Sequence, residues 1–159
     1  MHVPLALLCV SVLMLAPGCT GLPTKGESLR NGIHSIINMA QTTLVHIRKL
    51  RTKLPVAPQI DISSPSIEGL TSISRELGLL DRDLQSPLLE LLSQIQADVS
   101  SLEGRVRSLA LTLDCPVQAR PKGEAGDDVF PESHLYLSLM KVQHYLEEFL
   151  LNKDKLKVC

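Results

Sequence analysis

The chain has 159 residues, 44% of them hydrophobic and none of them tryptophan, which is enough to bury one core. Its 16 Lys and Arg and 17 Asp and Glu leave a formal net charge of -1, and aromatic residues make up only 3%. Without a Lys/Arg-rich patch interleaved with aromatic side chains, nucleic acid is excluded as the main partner.

Residues 1–21 read as a secretory signal. Leu5 opens an apolar run to Ala16 that is too short to span a bilayer, Pro17 and Gly18 break it, and Cys19 and Gly21 supply small residues before a cut after Gly21. The stretch before Leu5 has no Lys or Arg, so two other readings stand beside it. One is a retained membrane anchor; the other is a bacterial lipoprotein signal ending at Cys19, which calls for basic residues near Met1. The mature domain is then 22–159. No later segment is apolar enough, for long enough, to span a membrane, so no membrane insertion is expected.

Four helical segments follow. In the first, Thr24 and Glu27 form a capping box, and Leu29, Ile33, Ile36, Ala40, Leu44, Ile47, Leu50 and Leu54 trace one face until Pro55. Pro55, Pro58 and Pro65, with Ser63 and Ser64, mark an extended link. Helical spacing resumes at Ile67, Leu70, Ile73, Leu77, Leu80 and Leu84, with Gly69 and Gly78 inside the segment.

The third segment, 86–115, organises the chain. Ser86 caps it, Pro87 takes the first helical position, and Leu88, Leu92, Ile95, Val99, Leu102, Val106, Leu109 and Leu113 step by fours and threes before Pro116 ends it. About 28 residues make a helix of roughly 42 Å. Only Ser86 and Pro87 separate it from the second segment, so the two are expected to run antiparallel. Residues 116–130 carry Pro121, Gly123, Gly126, Asp127 and Asp128 and read as a loop. The fourth helix runs from near Pro131 through Leu135, Leu139, Val142, Leu146, Phe149 and Leu156, flanked by Tyr136 and Tyr145. Lys153, Lys155 and Lys157 stand where cations favour a helix C-terminus.

Removing the signal takes Cys9 and Cys19 with it and leaves Cys115 and Cys159. In an oxidising compartment their pairing is the leading expectation, with a bridge to a second chain and two free thiols as the alternatives. Pairing brings the ends of the third and fourth helices together and makes those helices parallel. The link between them then returns along the bundle, which its roughly 15 residues can do by spanning about 50 Å. A second long crossover between the first two helices is equally permitted. The fold expected is all-α: an up-up-down-down four-helix bundle with two long crossover loops and one disulfide.

Motifs for chemistry are absent: no glycine-rich phosphate loop, no His-Glu-x-x-His, no Gly-x-Ser-x-Gly. No enzyme, cofactor or metal is therefore expected. His144 with Glu148, and the pairs Glu147-Glu148 and Asp127-Asp128, read as surface groups; Met39 and Met140 read as packing residues. Opposite the apolar stripe of the third helix lie Gln94, Ala97, Asp98, Ser101, Gly104, Arg105 and Ser108, small and lightly charged. The outward line of the first helix, Asn31, His34, Ser35, Asn38, Thr42 and Val45, is similar. If these helices are neighbours the two lines form one patch, either for a partner or merely solvated. A protein ligand and an apolipoprotein-like lipid-binding helical protein are the two classes in play. The sparse charge of these polar faces disfavours lipid, since lipid-surface helices are rich in Lys and Arg there.

A mature chain opening Leu22-Pro23, four helices with two crossovers, Leu113-Asp114-Cys115 closing the third helix and a final Cys159 together resemble the leptins, of the long-chain four-helix cytokine family, in a fish-type form. That resemblance implies a secreted, monomeric hormone that binds the leptin receptor, a class I cytokine receptor, signals through Janus kinases and regulates energy balance and appetite. It also implies a receptor face on the first and third helices, carried over onto Asn31, His34, Ser35, Gln94, Ser101 and Arg105, with Gly104 in the same patch. A second contact in the family falls here on residues 60–64 and on Glu132 and Ser133. The Gly-Leu-Asp-Phe-Ile-Pro-Gly loop of mammalian members is represented by Ile60-Asp61-Ile62-Ser63-Ser64-Pro65, and Phe149 stands where those members have Trp.

Overall fold

Apolar residues three and four apart shape every α-helix in a computed structural model of the chain, which describes residues 25–54, 62–85, 92–120 and 131–159. They are α1 (Lys25–Arg51), α2 (Leu70–Leu84), α3 (Ser93–Thr112) and α4 (Pro131–Leu151), followed by a short 3-10 helix, Lys153–Lys157. No strand occurs among the described residues. The signal segment, Thr24 of the expected capping box, and the Ser86-Pro87 opening of the third helix lie outside them.

The chain divides into two units, Met1–Asn31 and Gly32–Cys159. The described part of the first is the opening of α1, where Glu27 puts an acid in the first turn. The second holds the core. Ile36, Ala40, Leu44 and Ile47 of α1, Leu70, Ile73, Leu77 and Leu84 of α2, Ile95, Val99, Leu102, Val106 and Leu109 of α3, and Leu139, Val142, Leu146 and Phe149 of α4 are all buried. These are the stripes expected from spacing.

Helix directions follow from side-chain contacts. Arg105 of α3 meets Ser35 of α1, while Asp98 meets His46, so α1 and α3 run antiparallel. Thr71 of α2 donates to the Pro116 carbonyl at 2.8 Å and Asp81 accepts from Gln96 at 3.0 Å, so α2 is antiparallel to α3 as well. Cys115 and Cys159 are joined, their Cα atoms 5.4 Å apart, which sets the ends of α3 and α4 together. The result is up-up-down-down, α1 and α2 running one way and α3 and α4 the other.

The boundaries differ from expectation at four ends, each for a visible reason. The first helix stops at Arg51 and not at Leu54, because the chain tightens into a turn in which Lys53 N–H donates to the Leu50 carbonyl at 3.0 Å and Leu54 N–H to that of Arg51 at 3.2 Å. The third helix stops at Thr112 and not at Cys115. Asp114 takes a left-handed backbone conformation, φ 56°. Its N–H then donates to the Leu111 carbonyl at 3.2 Å and that of Cys115 to the Ala110 carbonyl at 2.8 Å. This is a Schellman closure, with an aspartate where glycine is usual. The second helix begins at Leu70 and not at Ile67, because the chain's last residues cap it: Leu70 N–H donates to the Val158 carbonyl at 2.8 Å and Thr71 N–H to that of Cys159 at 3.2 Å. Gly69 permits this approach, since a Cβ there would fall 2.3 Å from the Cys159 carbonyl carbon. The fourth helix ends at Leu151, where the Asn152 amide donates to the Glu148 carbonyl at 2.8 Å. The 3-10 turn that follows still buries Leu156.

Candidate functional site

The α1–α3 seam is assembled by helices whose apolar stripes face inward and whose small polar residues are left at the edge. At its centre His46 Nδ1 and Asp98 Oδ2 are 2.5 Å apart, and Gln94 donates to the other Asp98 oxygen at 2.9 Å. Asp98, expected on an outward face, is instead buried. The correction has a simple cause: α1 lies over that side of α3, and a carboxylate tolerates burial where two donors meet it. Ser35 accepts a hydrogen bond from Arg105 further along the same seam.

Around these ties the predicted patch is open. His34, Gln94, Ser101 and Arg105 are exposed and Ser35 is half-buried; Asn38, Thr42, Ala97 and Ser108 are exposed too, and Val45 is 45% exposed. Gly104 is half-buried, and a Cβ on it would sit 3.9 Å from the Arg120 guanidinium, an ordinary contact. Asn31 is an exposed residue of α1 within the other unit. Glu132 and Ser133 fall in the first turn of α4, with their side chains outside what is described. Of the second-contact loop, Ile60 and Asp61 lie outside the described residues. The stretch 62–65 borders a cavity of about 250 Å³ whose other walls include Glu76, Leu80, Lys141 and Tyr145.

Two buried polar features were not read from sequence. Glu103 is buried and accepts from Arg107 at 2.8 Å and from Arg120 at 3.0 Å, so the segment after α3 is strapped back over that helix. The spacing of Glu103 and Arg107 by four was a signal for half of this pair; Arg120 had none. Tyr145 is 2% exposed and, among the described residues, its hydroxyl has no hydrogen-bond partner. Burial pushes the phenol's pKa up, with Glu76 adding to the effect. Burial also raises that of Asp81, against the hydrogen bond from Gln96.

No cluster of three or more His, Cys, Asp or Glu that could hold a metal ion occurs among the described residues, and no described helix is long and apolar enough to cross a membrane. The described residues form an up-up-down-down bundle with the Cys115 to Cys159 bridge, the architecture of a long-chain helical cytokine.

Comparison with known proteins makes the class specific. Leptin-B of Oryzias latipes is 53% identical over 159 residues, covering 100% of this chain and 100% of the relative. The chain belongs to the leptin family, and the fish-type resemblance of its sequence holds. No family model and no solved structure matches it.

Proposed function

We propose that this leptin-family chain is a secreted, monomeric hormone that binds and activates the leptin receptor, a class I cytokine receptor, in the control of energy balance and appetite. The observation that carries the reading is 53% identity to a leptin along the entire chain. In this reading residues 1–21 direct secretion and are removed, and 22–159 is the hormone.

The receptor face is the α1–α3 seam: His34 and Ser35 from α1, and Gln94, Ser101, Gly104 and Arg105 from α3. Two physical features support it. The tie between half-buried His46 and buried Asp98 fixes the two helices against each other, so that the face is organised before a partner arrives. Ser35, Ser101 and Gly104 are small, which permits close approach around the longer exposed His34, Gln94 and Arg105 as anchors. Glu132 and Ser133, with 60–64, form a second contact. The mutual burial of the helices' apolar stripes weighs against the lipid-coating alternative, because little apolar surface is left to meet lipid. Direct binding to a receptor ectodomain, with charge placed at Ser101, tests the proposal.

A further inference from the structure

Arg48, Lys49, Arg51 and Lys53 crowd the C-terminal end of α1 and the turn after it. No Asp or Glu occurs anywhere in residues 28–60. Arg48, Lys49 and Lys53 are exposed, and the half-buried Arg51 spends one guanidinium nitrogen on the neutral Gln143, 2.8 Å away. Among the described residues none of the four meets a carboxylate, whereas Arg75, Arg82, Arg107 and Arg120 all do. The helix dipole accounts for cations in the last turn of α1. It does not account for Lys53 beyond that turn, or for the missing counter-charge.

We propose that Arg48, Lys49, Arg51 and Lys53 form a binding site for an extracellular sulfated polysaccharide, an inference that rests on the reading of the chain as secreted. A chain of net charge -1 has no general affinity for polyanions, so retention on one requires a local cluster of this kind. Nucleic acid fits less well: the chain's aromatic residues are Phe130, Tyr136, Tyr145 and Phe149, none of them in this segment, so no stacking platform accompanies the cations. A bilayer surface fits less well too, since Val45 is the one large apolar side chain exposed on the described part of α1. A flexible polymer with closely spaced sulfates needs only cations in series, which adjacent Arg48 and Lys49, then Arg51, then Lys53 supply. Such a site would hold the hormone near its point of release.

The test uses protein purified from cells expressing the full chain, with heparin as the probe and a sulfonate exchanger as the charge control. Wild type is expected to elute from heparin at higher salt than from the exchanger. Combined Arg48→Ala, Lys49→Ala and Lys53→Ala should weaken heparin binding about tenfold or more and lower the slope of log affinity against log salt by about three. Lys53→Glu, which lies outside α1 and leaves the helix untouched, should weaken it in the same direction. Combined Lys153→Ala, Lys155→Ala and Lys157→Ala should leave it nearly unchanged. Equal elution from both matrices, full retention of the first triple variant, or tighter binding to duplex DNA or phosphatidylserine vesicles than to heparin would overturn the proposal. Receptor binding in heparin-free buffer is read separately, so failure of the receptor reading leaves the heparin result standing.

Discussion

His46 and Asp98, 52 residues apart in sequence, meet at 2.5 Å across the α1–α3 seam, and Gln94 completes the carboxylate's contacts. Replacing Asp98 by Ala leaves a half-buried imidazole and an amide without their acceptor. The expected cost is about 1–2 kcal/mol of unfolding free energy, measured by urea denaturation, with Asp98→Asn costing less because an acceptor remains.

Two glycines should respond oppositely to alanine. At Gly69 the added carbon collides with the carbonyl of Cys159 and must push the chain's end off the start of α2, so Gly69→Ala should cost about 1–3 kcal/mol. At Gly104 the added carbon meets only the end of Arg120 at 3.9 Å, and Gly104→Ala should stabilise by about 0.5–1 kcal/mol as an interior helix position loses backbone freedom in the unfolded chain. Paired thermal melts of the two variants check both signs.

The Cys115 to Cys159 bridge closes a loop with a sequence separation of 44 and anchors the residues that cap α2. Replacing both cysteines by Ser should lower stability by about 2–4 kcal/mol while changing helicity little, since the four helices keep their stripes. Hydrogen exchange should quicken first at Leu70 and Thr71, whose N–H groups lose their acceptors as residues 158–159 loosen.

Asp81 gives a pH dependence. Its folded-state pKa is raised, chiefly by burial, above the ordinary carboxylate value, so its ionisation opposes folding as pH climbs through that raised value. Asp81→Asn should therefore be more stable than wild type at neutral pH, and the gap should close at acid pH, where the carboxyl is already protonated. Denaturation curves across the acid range read both limbs.

Much of this fold was legible because helical spacing is a local signal. Ile36, Ala40, Leu44 and Ile47, or Ile95, Val99, Leu102 and Val106, announce a buried stripe without reference to anything distant. The bridge then fixed direction, since two cysteines at helix ends admit few topologies. What escaped was set by contacts far along the chain. Gly69 looked like a flaw inside a helix because its neighbour Cys159 is 90 positions away. Asp98 looked solvated because nothing near it in sequence announces His46, and Glu103 hid its burial because half of its charge is met by Arg120 from a loop. Asp114 accepts a left-handed backbone that spacing cannot register. Across the α1–α3 seam, Ser35 with Arg105 and His46 with Asp98 were predictable as neighbours only once α1 and α3 were known to pack together, whereas Gln94 and Asp98 stand four apart on one helix.

The most direct test of the account is affinity for the leptin-receptor ectodomain, measured by surface plasmon resonance for wild type and for Ser101→Glu. Ser101 is exposed in the middle of the α1–α3 face, whereas a glutamate at Gly104 would find Arg120 beside it and be partly neutralised. Ser101→Glu is predicted to weaken binding about tenfold or more, a loss of about 1.4 kcal/mol, with an unchanged circular dichroism spectrum. Lys153→Glu, exposed beyond the end of α4, should bind as wild type does. Equal affinity of wild type and a folded Ser101→Glu protein would contradict the assignment of the face to α1 and α3, and absence of binding by folded wild type would contradict the proposed hormone function itself.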